Sequence, residues 1–394
     1  MPACARHRPL ARGARVGAAV VVLAAIVGAP GACGAVATAA AAGSSAACAT
    51  AQARVPPPGV SSPDPVLELA TGLEQPDDLV RWSGRLLVGE YGSGRIAQVD
   101  GPGGPLVPLL VRVPEVEGLA GLGGTLVVAD QATDQVVTVA AARVRSLVSL
   151  RPVPGVEGVD GVGAAAGQVI IPDSARGSIL WVTPRGRTVR RMVGFDRPTG
   201  VWPLPGGGVL VAVEDGGEVM RVAADGARSL LASGLDLPDD VARSASGTTY
   251  VVAIGSGVLD RVGGRIARVL VSGLGQPQGL ALDGAGNPIV TESSQGRVDL
   301  VVTTLAVEPP GPIPALPAGG RLCVRLVRGP GFSAAAMIAA SSFYRVGVQP
   351  GRGTRGVVRV GACARICRLD VVVRSGRLTA STWLAYRHAP TPSV

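Results

Sequence analysis

Pro277-Gln278-Gly279-Leu280-Ala281-Leu282-Asp283 is the fullest copy of a phrase that recurs along the chain. Degenerate copies begin at Pro76-Asp77-Asp78, Val116-Glu117-Gly118, Val156-Glu157-Gly158, Pro198-Thr199-Gly200 and Pro238-Asp239-Asp240. Their second residues stand at 77, 117, 157, 199, 239 and 278, at gaps of 40, 40, 42, 40 and 39. A fixed period of this length marks one supersecondary unit repeated side by side, each too small to bury its own faces. The grammar inside a unit is four short strands separated by Gly or Pro turns. The first unit reads Asp77–Trp82, Arg85–Glu90, Gly94–Val99 and Pro105–Val113. The last has only three, Gln278–Asp283, Asn287–Glu292 and Gly296–Val302, and then runs out into proline. An extra strand, Val66–Gly72, precedes the first unit and is similar to the fourth strands that end at Ser233-Gly234-Leu235 and Ser272-Gly273-Leu274. It is expected to complete the last unit, because ring closure removes two exposed sheet edges. The predicted fold class is all-β: a six-bladed β-propeller over residues 65–305, closed by an N-terminal strand.

The composition agrees. Of 394 residues 47% are hydrophobic and 3% aromatic, with 57 Gly and 32 Pro. A core of Val, Leu and Ala with many tight turns follows, and long helices do not. Every one of the 37 basic residues is Arg. Residues 64–305 carry 20 Arg against 26 acids, whereas residues 306–394 carry 12 Arg against two, so the net charge of +9 belongs to the ends and not to the repeats.

At the start, Arg6, Arg8, Arg12 and Arg15 precede a 14-residue apolar run, Val16–Ala29, and small residues follow. This is the pattern of a secretory signal, taken as residues 1–33; the run is short of the roughly 20 residues of a membrane-spanning helix. A lipoprotein signal with Cys33 as the lipidated residue is the alternative. Residues 34–64 read as an Ala/Ser/Pro-rich tether. The chain is therefore expected to be secreted or attached to the cell surface or envelope, as a monomer. Its partners are then a small polar ligand or an envelope or extracellular component, and export argues against nucleic acid.

Residues 306–320 read as a Pro-rich linker, and residues 321–394 as a small basic β-rich domain with a tail. Its expected strands are Leu322–Val327, Ser342–Val348, Gly356–Val360, Arg368–Val373 and Leu378–Tyr386, with a short helix at Ala334–Ala340. Cys323, Cys363 and Cys367 cluster in this part, and an oxidising compartment would pair two of them, in a combination the spacing leaves open.

In a closed ring the first strand of each blade lines the central channel, so the second residues of the phrase gather at one mouth: Asp77, Glu117, Glu157, Thr199, Asp239 and Gln278. Asp78 and Asp240 add acids at the third place. An oxygen-rich ring of this kind suits Ca²⁺ or another hard divalent cation. Asp77, Asp78, Glu117, Glu157, Asp239 and Asp240 are the candidate metal ligands, with Thr199 and Gln278 facing a ligand. The competing role for such acids is to accept backbone N–H bonds from loops. A second set, Glu90, Asp130, Asp173, Glu214 and Glu292, ends the second strands and is expected to hold turn backbone or an arginine such as Arg95 or Arg297. His7 and His388 lie at the extremes and no Cys falls between residues 49 and 322, which excludes histidine- or cysteine-based nucleophilic catalysis in the repeats. No Gly-Lys-Ser/Thr phosphate loop is present.

Gly273-Leu274-Gly275-Gln276-Pro277-Gln278-Gly279-Leu280-Ala281-Leu282-Asp283, with Val290-Thr291-Glu292 and Gly296-Arg297-Val298, resembles an NHL-type repeat. It is equally similar to blades of the gluconolactonase and senescence-marker-protein family and of strictosidine-synthase-like propellers. The gluconolactonase resemblance implies a divalent cation at the channel mouth, held by one Glu, one Asn and one Asp that each open a strand. Glu117-Gly118 and Glu157-Gly158 look like the Glu form, and Pro238-Asp239 the Asp form with Asp240 in place of Gly. The Asn has no counterpart; Thr199-Gly200 and Gln278-Gly279 are nearest. The resemblance further implies Asp239 as the general base of lactone hydrolysis. Two functions are thus expected: recognition of a polar ligand, sugar or partner at the mouth, with or without a cation, or metal-dependent hydrolysis of lactones or esters.

Overall fold

The computed structural model describes residues 57–99, 106–308, 315–316, 321–330, 337–341, 355–359, 366–375 and 378–388. Six four-stranded antiparallel sheets make the six blades of a β-propeller. From the channel outward, blade 1 runs Pro76–Trp82, Arg85–Glu90, Arg95–Val99, Leu106–Arg112, and blade 2 Val116–Leu122, Thr125–Asp130, Gln135–Ala140, Arg143–Ser149. Blade 3 runs Gly163–Ala165, Gln168–Asp173, Ser178–Val182, Thr188–Val193, and blade 4 Pro198–Pro203, Val209–Val213, Glu218–Val222, Arg228–Ser233. Blade 5 runs Pro238–Arg243, Thr249–Ala253, Val258–Gly263, Ile266–Ser272. Blade 6 takes Pro277–Leu282, Pro288–Glu292 and Arg297–Val301 from one end of the array and Val66–Thr71 from the other. That N-terminal strand pairs antiparallel with Arg297–Val301, Val66 opposite Val301 and Thr71 opposite Arg297, and closes the ring as expected.

The core lies between blades. Val66, Ala242, Val252, Leu280 and Val290 form one buried cluster joining blades 5 and 6, and Leu87, Ile96, Leu119 and Val128 another joining blades 1 and 2. Second strands are covered on both faces, so they read as unbroken apolar runs such as Val209–Val213, in which every residue is buried. Facing sheets this close favour Val, Leu and Ala over rings, which accounts for the low aromatic content.

Past the last blade the chain is fastened at once. Asn287, fully buried, accepts the Thr304 N–H at Oδ1 (2.8 Å) and donates to the Leu305 carbonyl (2.9 Å). Leu305–Glu308, which after Leu305 lies within the expected linker of residues 306–320, is a strand paired with Arg321–Arg328, which pairs in turn with Arg355–Arg359. A second C-terminal sheet holds Ala315–Leu316, Leu378–His388, Ile366–Ser375 and Met337–Ser341. Met337–Ser341 is therefore a strand, paired with Ile366–Ser375, and not the end of the helix expected at Ala334–Ala340; its Met-Ile-Ala-Ala-Ser sequence can serve either, and pairing with the long neighbouring strand decides. The segment read as an export signal with Cys33, most of the tether, the strand expected at Ser342–Val348, and Cys363 lie outside the described residues. Among the described residues no helix is long and apolar enough to cross a membrane.

Candidate functional site

Each innermost strand is entered through a latch. The carbonyls of Gln75, Glu115, Gly158, Arg197, Leu237 and Gln276 accept the N–H of the residue that follows the second strand of the same blade. Five of these residues are not glycine and still adopt φ between 44° and 55°, a left-handed conformation that costs energy and is held here by the repeated contact. The residue after each latch begins the ladder: Pro76 opposite Glu90, Val116 opposite Asp130, Pro198 opposite Val213, Pro238 opposite Ala253, Pro277 opposite Glu292.

In blade 3 the residue at that place is Val159, opposite Asp173. The phrase there is thus Val159-Asp160-Gly161, three residues later than Val156-Glu157-Gly158, and the ring residue is Asp160 instead of Glu157. A small turn bridging Val153 and Val156 takes up the extra residues. Glu157 sits outside the channel wall with its side chain 62% exposed.

Asp77, Glu117, Asp160, Thr199 and Asp239 line one cavity of ≈ 700 Å³ that runs into the channel. Gln278 is not part of its wall; the neighbouring Gly279 is. Asp77 and Asp160 are buried, Glu117 and Asp239 half-buried. Glu117 and Asp239 repel the Asp77 carboxylate from other blades, and Asp77 Oδ2 has no hydrogen-bond partner. Burial lifts Asp77, Glu117 and Asp239 well above the ordinary carboxyl range, and mutual repulsion within the ring adds to it. Asp160 is pushed up to about 6, burial outweighing the attraction of Arg197. Its Oδ1 accepts a hydrogen bond from Gln131 Nε2 at 2.7 Å.

Arg197 is the residue that the sequence pattern did not single out. It occupies the latch before Pro198. Its guanidinium meets Glu157 at 2.7 Å, Asp160 at 3.5 Å and also Glu214. Burial works against its charge, but these three acids prevail and hold it protonated. The only advance signal was an arginine directly before the proline that opens an acid-ringed strand.

The third residue of the phrase has a structural task. Asp78 accepts the N–H of Leu79 at Oδ1 and that of Leu119, in the next blade, at Oδ2, both at 2.6 Å. Asp240 does the same for Val241 (2.7 Å) and for Leu280 in the next blade (2.9 Å). Asp78 and Asp240 therefore tie blade 1 to 2 and blade 5 to 6; both candidate ligands already spend their oxygens on backbone. Where the third residue is Gly, the next backbone approaches instead: a Cβ on Gly279 would lie 2.4 Å from the Asp77 carbonyl oxygen. Thr199 donates its hydroxyl to the Asp239 carbonyl at 2.7 Å. In the second acidic set, Glu90 pairs with Arg95 (2.6 Å), Asp173 with Arg176 (3.1 Å) and Glu292 with Arg297 (2.6 Å), contacts that brace blade ends.

Among the described residues no group of three or more His, Cys, Asp or Glu is disposed to hold a metal ion. With Glu157 outside the wall, Asp78 and Asp240 engaged, and Thr199 at the place nearest to the implied Asn, the residues present do not fit a ready-made divalent-cation site. Further along the cavity the wall turns apolar, with Val80, Trp82, Trp202, Leu204 and Leu282.

No family model matches the chain, and no curated protein matches it. Solved structures do. A gluconolactonase from Xanthomonas campestris is similar at 15% identity with a TM-score of 0.50, covering 60% of this chain and 89% of that one. The calcium-binding protein regucalcin from Agrobacterium tumefaciens follows at 14% identity, TM-score 0.49, covering 59% and 92%. A catalytically inactive virginiamycin B lyase from Staphylococcus aureus with quinupristin stands at 11% identity, TM-score 0.48, covering 62% and 99%. The likeness is one of fold, a six-bladed propeller.

Proposed function

We propose that this chain is an exported propeller that recognises a small polar ligand at the acidic mouth of its channel. One observation carries the reading: carboxyls from four blades, Asp77, Glu117, Asp160 and Asp239, line a single cavity, and Asp77 Oδ2 is buried there without a hydrogen bond. A buried acceptor left unpaired is costly, and a ligand bearing O–H or N–H donors would satisfy it. The volume is that of a small-molecule site, and the mixture of polar mouth and apolar depth suits such a ligand. The basic C-terminal part would serve attachment to an anionic envelope component.

Hydrolysis of lactones or esters is the second reading, favoured by Asp239, whose raised pKa suits a general acid or base. It lacks a metal-ligand set to support it. Both readings are tested by titrating sugars and aldonolactones while following Trp82 and Trp202 fluorescence, with product analysis for the lactones. Saturable binding is expected, weakened about 10- to 100-fold in Asp77→Asn, the range of one lost hydrogen bond to a charged or buried group. Turnover that disappears in Asp239→Asn would establish the hydrolase instead.

A further inference from the structure

We infer that Arg197 is a built-in counter-ion at this channel mouth, standing in place of a divalent cation, so that the site operates without metal. The inference rests on the mouth being the binding site, as proposed above, and adds how its charge is balanced.

The acids on the blade 3 and blade 4 side are already served. One planar guanidinium, with five N–H donors, reaches Glu157, Asp160 and Glu214 from the latch of blade 4. It also lowers the cost of ionising Glu117. A hard cation such as Ca²⁺ needs six to eight oxygens at about 2.3–2.6 Å. Many of the oxygens that could supply them are committed: Asp160 Oδ1 to Gln131, Asp78 and Asp240 to backbone N–H groups, the Thr199 hydroxyl to the Asp239 carbonyl. Asp77 Oδ2 and Asp160 Oδ2 are free of hydrogen bonds, but among the described residues the acids form no group of three disposed to hold a metal ion. Arg197 stands behind the cavity wall and reaches it through Asp160, whereas the arginine in the wall itself, Arg81, acts on Asp283. Arg197 is held at φ 55° by the latch it shares with Gln75, Glu115, Leu237 and Gln276.

The test uses the full chain as wild type, Arg197→Lys and Arg197→Gly. Glycine accepts the left-handed backbone without strain, so its effect reports the missing guanidinium. Thermal unfolding is followed in EDTA, in millimolar Ca²⁺ or Mn²⁺, and in methylguanidinium chloride against sodium chloride of equal ionic strength. Wild type and Arg197→Lys should melt at the same temperature with and without metal. Arg197→Gly should melt lower in EDTA and recover by about 3–6 °C with Ca²⁺ or methylguanidinium but not with sodium chloride, as expected for an ion that binds only the native state. Recovery of that size by Ca²⁺ in wild type would overturn the inference. So would an Arg197→Gly protein that gains nothing from either cation. If Arg197→Gly does not fold, Arg197→Gln carries the same comparison. Sugar or lactone binding by EDTA-treated wild type separates the two ideas: binding that requires added metal sinks the counter-ion and leaves the ligand reading standing. No binding in either condition sinks the ligand reading while the melting data still judge Arg197.

Discussion

Thr291 joins the two ends of the ring through one oxygen. Its Oγ1 donates to the Asp77 carbonyl of blade 1 at 2.5 Å and accepts the Gly279 N–H of blade 6 at 2.7 Å, and it is fully buried. Thr291→Val keeps the shape and deletes both bonds, leaving a buried N–H and C=O unpaired. It should cost about 1–3 kcal/mol, with Thr291→Ser closer to wild type. The check is the urea midpoint at unchanged slope, since a changed slope would mean a different unfolding reaction. Asp77 itself, whose backbone takes this bond and whose side chain enters the cavity, was legible in the sequence because it holds the second place of a recurring phrase. Thr291 was not: it lies within the second strand, where nothing in Val290-Thr291-Glu292 distinguishes a bridging hydroxyl from a surface one.

At the scale of elements, the closing strand carries the argument for a ring. Successive residues of Val66–Thr71 enter different inter-blade clusters: Val66 joins the one between blades 5 and 6, and Leu67 the one that reaches blade 1. A strand supplied from the far end of the chain thus completes two interfaces. Leu67→Ala should destabilise the propeller by about 2–4 kcal/mol and keep a single cooperative transition, read by denaturant unfolding. A separate early transition for blade 6 would show that closure is not coupled to the rest. The strand was legible because the last unit stopped one strand short. The register of blade 3 was not, because Val156-Glu157-Gly158-Val159-Asp160-Gly161 repeats its own grammar three residues on. Either triplet satisfies the phrase; only the ladder partner Asp173 selects the second. The slip carried Glu157 into the predicted ring and left Asp160 out, and with it the reason for Arg197, which touches both.

Across the whole molecule, the buried carboxyls decide how stability responds to pH. Burial pushes Asp160 from 3.8 to about 6 and Asp240 to about 7, and burial with the neighbouring Glu292 pushes Asp299 to about 9. The native state therefore keeps protons at pH values where the unfolded chain has released them. Below about pH 4 both states are protonated and these groups cost nothing. Between about pH 4 and 9 the native state binds more protons, so stability falls as pH rises, by about 1.4 kcal/mol per pH unit for each unmatched proton. The melting temperature should accordingly be highest at mildly acidic pH and decline toward pH 9, opposite to proteins whose carboxylates are depressed by ion pairs. Asp299 offers the cleanest test. It is fully buried beside Arg297, 3.2 Å from Nε, and asparagine copies the shape of its protonated form. Asp299→Asn should match wild type near pH 4 and lose the portion of the decline that extends to pH 9, while the steps due to Asp160 and Asp240 remain. Parallel curves for the two proteins between pH 7 and 9 would mean that Asp299 is ionised in the fold, with Arg297 neutralising it along with Glu292.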